Sequence, residues 1–335
     1  MEVESAARVV ESDFVGCIDH SADDLGSLEP SFDDFVAELL LTQMGGSGKQ
    51  RGRERRTAAR KIVSEIYSPP RITKLIRELR PKHVMPGFSF DITVLDPDDG
   101  MPWDFSIPEK RAKARRKLRE QKPYLLVGSP MCTQFSTWQY LNEHRSTDKA
   151  GMRRAKIAAI VHLDFVASLY EEQIAGGRYF LHGHPLHATS WSVPSIEALL
   201  RMPQVQLASG DQCQFGAEAR SGPMRGQPIK KPSGSLTNSN ELFEILSKRC
   251  NGNGGDCSRP GGGRHVVCSG RRAIEAAQYP RGLCKAVLRG IRNQLRPDGL
   301  MKDGCYGIQA PDDDAEIERN LRGQSKVIPV SSKTT

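Results

Sequence analysis

The side chains best suited to chemistry fall in three places. Cys132 stands in Gly128-Ser129-Pro130-Met131-Cys132-Thr133-Gln134-Phe135-Ser136, two residues beyond a proline and just after the apolar run Tyr124-Leu125-Leu126-Val127. A thiol displayed on such a turn acts as a nucleophile when a helix N-terminus or a neighbouring Arg or His favours its thiolate. Packed as a small apolar residue it would be inert, since free cysteines are among the most buried residue types. His182, His184 and His187 follow the run Tyr179-Phe180-Leu181. Imidazoles there can move a proton near neutral pH, bind zinc through a His-x-His-x-x-His spacing, or simply cap a strand. Cys250, Cys257, His265 and Cys268 form a Cys-x6-Cys-x7-His-x2-Cys cluster. Its donor types suit a structural zinc knuckle, although the first spacing exceeds the usual about two to four intervening residues.

The elements that carry the first two groups should bring them together. Residues 61–67 read as a strand, Ser68-Pro69-Pro70 as a turn, and residues 71–79 as a helix with Ile72, Leu75, Ile76 and Leu79 on one face. Residues 88–93 give a second strand, 109–121 a basic helix, and 124–127 the strand leading to Cys132. A long helix over 149–175 has Ile157, Ile160, Val161, Phe165 and Leu169 as its apolar face; Gly176-Gly177 stops it, and 178–181 is the next strand. Farther on, 195–201 is a helix, 204–208 a strand and 283–295 a closing helix. Strands alternating with helices predict an α/β fold with a doubly wound, mostly parallel sheet and right-handed crossovers. A single crossover helix makes the Cys132 strand and the histidine strand parallel neighbours. Cys132 and a His182-Gly183-His184 turn should therefore emerge at one sheet edge, where chemistry collects in open parallel sheets.

The sequence has 335 residues, enough for one large or two ordinary domains, and a formal net charge of +8. It divides into an acidic-then-basic tail over 1–60, an α/β core over 61–216, a small loop-rich, Gly/Lys/Arg-rich subdomain over 217–270, a closing core helix over 271–297 and a second tail over 298–335. The first tail carries one short amphipathic helix over 31–41 and too little apolar surface to fold alone. Apolar runs fall short of the ~20 residues a membrane span needs, and Met1 to Leu28 lacks the pattern of a secretory signal. An intracellular protein, nuclear or cytoplasmic and not secreted, is expected. In a reducing compartment the eight cysteines point to catalysis or metal rather than to disulfides. Basic runs at 49–56 and 110–119 suit phosphates, or solvated helix faces. Arg220, Lys230, Lys231, Arg264, Arg271 and Arg272 make the subdomain basic too, and it is the expected contact surface for DNA or RNA.

Taken in order, these motifs resemble the cytosine-C5 DNA methyltransferase family over about residues 61–295. The loop 128–136 matches the Gly, Pro, Cys, Phe and Ser positions of the family's Gly-Gly-Pro-Pro-Cys-Gln-x-Phe-Ser nucleophile loop without a gap. Glu65-Ile66-Tyr67 sits where the family ends its first strand with an acidic residue, an apolar residue and Phe. Asp91 follows the second strand, Trp103-Asp104-Phe105 resembles the acidic cofactor-contacting segment, and Tyr279-Pro280-Arg281-Gly282-Leu283 resembles the start of the closing helix. Asp211 to Gly216 is loosely similar to an Asp-Tyr-Gly segment. The resemblance implies a Rossmann-like methyltransferase sheet and S-adenosylmethionine-dependent methyl transfer to C5 of cytosine in DNA. Cys132 would add to C6 of a base flipped out of the duplex; Glu65, Tyr67, Asp91, Asp104, Phe105 and Pro130 would contact the cofactor. His182 or His184 would donate the proton that a family Glu gives to cytosine N3. Two positions depart from the pattern. Ser68-Pro69-Pro70-Arg71 replaces a Gly-rich turn, and His182-Gly183-His184 lacks a carboxylate.

Two other readings remain open. The lost glycines and Glu suit a catalytically inactive methyltransferase-like module that binds nucleic acid within the polyprotein of a mobile element, such as a retroelement. The histidine spacing also resembles that of metallo-β-lactamase-fold hydrolases, which would make His182, His184 and His187 zinc ligands, with Leu186 where that family keeps an Asp.

Overall fold

A computed structural model describes residues 60–301; all but the last residue of the expected 1–60 tail, with its helix and the basic run at 49–56, and the end of the second tail lie outside them. Among the described residues one sheet holds six strands: β1 Lys61–Ile66, β2 Val84–Phe90, β3 Leu125–Gly128, β4 Tyr179–Pro185, β5 Gln206–Asp211 and β6 Pro232–Thr237. Eight helices accompany them: α1 Ile72–Leu79, α2 Pro108–Gln121, α3 Trp138–Arg145, α4 Lys149–Ala175, α5 Pro194–Leu200, α6 Asn240–Leu246, α7 Arg271–Glu275 and α8 Arg281–Gln294. Their boundaries follow local chemistry. Asp148 accepts from Gly151 N at 2.7 Å to start α4, and Pro108 opens α2, where its missing N–H has no partner to lose.

The strand order is β2-β1-β3-β4-β6-β5. The β2–β1, β1–β3 and β3–β4 pairs are parallel, while β6 runs antiparallel to both β4 and β5. The sheet is thus mixed and mostly parallel. Period-two alternation sends Ile66, Leu126 and Phe180 to a core shared with α2, α4 and α5, and Val63, Leu125, Val127 and Leu181 to a core shared with α1, α6 and α8. Helices therefore cover both faces. No helix among the described residues is long and apolar enough to cross a membrane.

Two expectations change. The stretch Pro232-Ser-Gly-Ser-Leu-Thr falls in the segment assigned by sequence to a loop-rich subdomain, in which 235–248 reads as a strand followed by a helix; both are present, as β6 and α6, but β6 lies inside the sheet rather than in a separate subdomain. Its one leucine gave little periodic signal, but ladder hydrogen bonds on both sides hold it there, and Gly234 leaves room for Trp191, whose Cζ2 would lie 2.5 Å from a Cβ. The basic run on α2 is mostly consumed internally. Lys110 bonds Asp96 and Asp99, Lys113 bonds Asp96 and Asp98, and Arg115 and Arg119 pair with Glu172. Burial would raise the Asp96 carboxyl, yet hydrogen bonds from Lys110 and Lys113 outweigh it and hold its pKa down at about 2.

From β1 the chain goes to β2 on one side and later to β3 on the other. The crevice beyond the carboxyl ends of β1 and β3 is therefore the topological switch point, the usual ligand position in open α/β sheets.

Candidate functional site

Gly128, the last residue of β3, pairs in register with His182 of β4, so the Cys132 loop and the end of β4 share one edge. Cys132 precedes the 3-10 turn Thr133–Phe135, with its carbonyl accepting from Phe135 N at 3.0 Å, and its thiol is half-buried. Fully buried Phe135, with Lys156 Nζ 4.0 Å from its ring centroid, anchors one end of the loop; Ser129 N, bonded to Ile66 O at 3.2 Å, anchors the other. Between them opens a cavity of about 280 Å³ lined by Arg71, Cys132, His184, Gln212, Lys231 and Tyr279, among others. Lys231 Nζ donates to Ala276 O at 2.8 Å. Burial lowers the Lys231 pKa, the Cys132 and Cys268 sulfurs act to raise it, and Arg71 adds to the lowering. A partly desolvated ammonium therefore shares the cleft with the Cys132 thiol.

His182-Gly183-His184 is not a turn but part of β4, which runs to Pro185. The two imidazoles stack with centroids 5.0 Å apart. His184 Nε2 lies 3.0 Å from the Pro130 carbonyl, which can only accept, so Nε2 carries the proton and Nδ1 accepts from Ser190 Oγ at 2.6 Å. Burial, partly opposed by the Pro130 hydrogen bond, pushes the His184 pKa down to about 4. His182 is fully buried, its Nδ1 3.2 Å from the Tyr170 hydroxyl, and burial holds its pKa well below the ordinary value. At neutral pH both rings are neutral, so in place of an imidazolium donor the strand supplies His184 as a brace that holds the Cys132 loop through Pro130. His187 is exposed beyond β4, and the three histidines do not converge as a metal set. Gly183 has its own reason: a Cβ there would lie 1.9 Å from the Tyr279 hydroxyl, which bonds Ser129 Oγ at 2.7 Å.

The other half of the edge is filled. Glu65 is 1% exposed, and its carboxylate accepts from Arg71 N (3.0 Å), Ile72 N (3.2 Å), Thr73 N (2.8 Å), Thr73 Oγ1 (2.7 Å) and Ser68 Oγ (3.2 Å). It caps α1 from a distance, satisfying N–H groups that Pro69 and Pro70 cannot replace. Tyr67 takes a left-handed backbone (φ 53°), uncommon for a bulky residue. Its hydroxyl shares a hydrogen bond with His162 Nδ1 at 2.9 Å, and burial lowers the His162 pKa. Rings then pack on one another: Tyr67 on Phe105 at 4.8 Å, Phe90 on Trp103 at 3.8 Å and Phe88 on Phe90 at 4.1 Å. Asp91 accepts from Thr93 N and Oγ1, and Asp104 from Ser106 N, a bond that lowers the Asp104 pKa.

S-adenosylmethionine does not fit these residues as the resemblance implies. A purine sandwiched between two rings needs their planes ~7 Å apart, twice a ~3.5 Å carbon contact. Tyr67 and Phe105, with centroids 4.8 Å apart and planes tilted by 58°, pack directly on each other and leave no such slot between them. Glu65, tied to α1, has no lone pair facing outward for the methionine end.

The basic residues separate. Lys231 lines the cleft and gains Arg71 as a neighbour; Arg220 Nη1 is held by Gln278 and Arg272 Nη1 by the Val267 carbonyl. Lys230 is half-buried and Arg264 exposed; the Arg271 side chain lies outside the described residues. Cys213, Cys250, Cys257 and His265 each bring a donor atom to within 4.8 Å of the others, a cluster compatible with a metal ion. Cys268, expected as the fourth donor, is not in it; it is half-buried near Lys231, and Cys213 takes its place. Sequence spacing could not find Cys213, because it sits just after β5, far from Cys250 along the chain. Arg71, Ser129, Gln212 and His162 were likewise not anticipated as site residues, since only the folded sheet edge assembles them.

Comparison with protein-family models, with curated proteins and with solved structures returned no match. The fold and the site define an α/β protein with a thiol-bearing cleft at the carboxyl edge of its sheet.

Proposed function

We propose that this chain is a Rossmann-like, methyltransferase-like module that seats an unstacked pyrimidine of DNA in the Cys132 cleft, where Cys132 Sγ adds to C6 of the ring. The observation that carries this reading is the cleft itself, which sets a half-buried thiol beside the Lys231 ammonium in a cavity of about 280 Å³. That volume lies at the small end of the ~300–1,000 Å³ typical of ligand pockets, which suits one base. Arg71 and Lys231 offer positive charge to the flanking phosphates, and Trp138, 69% exposed on α3 just past the loop, offers a face for stacking.

The step uses only groups of this chain and water. Cys132 loses its proton to solvent, the C6–Sγ bond forms, and the C5–C6 π pair becomes an anion shared between C5 and, through C4, N3 of cytosine. A solvent proton then adds to C5. Reversal removes one of the two C5 protons and expels the thiolate, so the hydrogen at C5 exchanges with water. No step is routed through S-adenosylmethionine, because the residues beyond β1 and β2 do not accommodate it.

The test is an oligonucleotide tritiated at C5 of cytosine, as DNA and as RNA, incubated with the full chain and with Cys132→Ser, with and without S-adenosylmethionine. Tritium release that the serine variant lacks supports the nucleophile. Binding without release leaves the inactive nucleic-acid-binding module as the function and removes the chemistry. Release that requires the cofactor, with label transferred from its methyl group, restores methyl transfer and requires Tyr67 and Phe105 to part. Neither binding nor release overturns the proposal.

A further inference from the structure

We propose that Cys213, Cys250, Cys257 and His265 bind one structural zinc ion that clips the glycine-rich stretch around 250–265 to the end of β5. The inference stands apart from the proposed chemistry at Cys132.

Distances carry it. Zinc–sulfur bonds of ~2.3 Å and zinc–nitrogen bonds of ~2.0–2.1 Å put tetrahedral S···S edges at ~3.8 Å and S···N edges at ~3.6 Å. Cys250 Sγ lies 3.8 Å from Cys257 Sγ and 3.6 Å from His265 Nε2. A disulfide would need ~2.05 Å between the sulfurs. All four donor atoms fall within 4.8 Å of one another. Three thiols and one imidazole make a closed Cys3His set with no position left for substrate, the composition of structural zinc sites.

The surroundings are built for thiolate sulfur. Ser258 N and Oγ point at Cys250 Sγ at 3.4 and 3.5 Å, so donors already converge on the sulfur that would carry charge. An antiparallel bridge between Asp256 and Arg264, with Cys257 N to Gly263 O at 2.8 Å and His265 N to Gly255 O at 2.7 Å, delivers the second and third ligands together. Gly255 and Gly263 take positive φ there, which permits the tight path. Asp211 Oδ2 accepts from Cys250 N at 2.8 Å, locking the first ligand to β5. The three buried cysteines form a cluster of their own with no aliphatic residue in it. Three thiols without a metal are a poor core; as zinc ligands they explain how so glycine-rich a segment holds its shape.

The clip also reaches the cleft. Gln212, next to Cys213, lines the Cys132 cavity, donates its backbone N–H to Lys231 O at 3.1 Å and donates through Nε2 to Ser233 Oγ at 2.9 Å. Zinc loss should therefore loosen the wall that holds Lys231.

The full chain, purified without chelator, is assayed for zinc by mass spectrometry, beside Cys257→Ser, Cys268→Ser and Cys257→His. One zinc per chain is expected, reduced ~10-fold or more in Cys257→Ser and unchanged in Cys268→Ser. Because the serine variant can also fail by misfolding, the chain is loaded with cobalt. The wild type should show thiolate-to-cobalt charge-transfer bands and the strong visible absorption of a tetrahedral site, while Cys257→His keeps the tetrahedral absorption and loses about one third of the charge-transfer intensity, as one of three thiolates is removed. A chain that takes up neither metal, a Cys250–Cys257 disulfide in the reduced-purified protein, or zinc lost equally in Cys268→Ser would overturn the assignment.

Discussion

Beyond β3 and β4 the carboxyl edge of the sheet holds a cavity of about 280 Å³, whereas beyond β1 and β2 the same edge is filled by stacked aromatic rings. The two halves meet at one switch point, where β1 pairs with β3, and their open and filled character is made by side chains. On the open side, glycines and a short loop leave the Cys132 thiol accessible and a cation next to it. On the closed side, Tyr67, Phe88, Phe90, Trp103 and Phe105 pack on one another and on His162 and Phe165, and Glu65 is engaged in capping α1. On the proposed reading, the open half would seat the base and add the thiol, while the filled half offers no slot between its rings.

Four experiments break or sharpen that contrast. On the open side, Cys132→Ser should lower C5 hydrogen exchange by ~10³-fold or more while leaving oligonucleotide affinity within about two-fold, since the hydroxyl keeps the shape and loses the nucleophile. Equal exchange in both proteins would remove Cys132 from the chemistry. On the closed side, Phe105→Ala takes a 2% exposed ring from the stack and should cost ~3–5 kcal/mol by urea unfolding. A change below about 1 kcal/mol would mean that the slot can open at little cost, and would revive the cofactor.

A third experiment reads the brace within the open half. The folded pKa of His184, about 4, lies below its ordinary 6.5. Its contribution is fully present above pH 6.5, is lost as pH falls from 6.5 toward 4, and changes no further below. The shift corresponds to ~3 kcal/mol at most. His182 and His162 are depressed too and steepen the same fall, so the difference between wild type and His184→Asn isolates its share. Parallel stability profiles of the two proteins over that window would show that His184 does not brace the loop. The smallest effect concerns the rim: Trp138→Ala should weaken single-stranded DNA binding by ~1–3 kcal/mol and leave stability within ~0.5 kcal/mol. Unaltered affinity by fluorescence anisotropy would place the strand elsewhere.

Much of this was legible in residue order. Helix α4 runs over 149–175 to its Gly176-Gly177 stop as expected, but of its expected apolar face Ile157 and Val161 are exposed while Leu163, Val166 and Tyr170 are buried; β3 and β4 are parallel neighbours as expected, with α3 as well as α4 in the connection. These are local or nearest-neighbour properties: a hydrophobic period, a cap, a short connection. What tertiary structure alone decided depends on residues far apart in the chain. The insertion of β6 between β4 and β5 rests on hydrogen-bond ladders that its sparse apolar pattern does not announce. The exchange of Cys268 for Cys213 rests on where β5 ends. The pairing of Lys110 and Lys113 with the 96–99 carboxylates turned an apparent phosphate surface into an internal network. Period and composition set which elements form and which faces they bury. Which donors, rings and charges end up within a few ångströms of each other is a property of the packed whole, because each such contact joins segments whose separation along the chain carries no signal of their meeting.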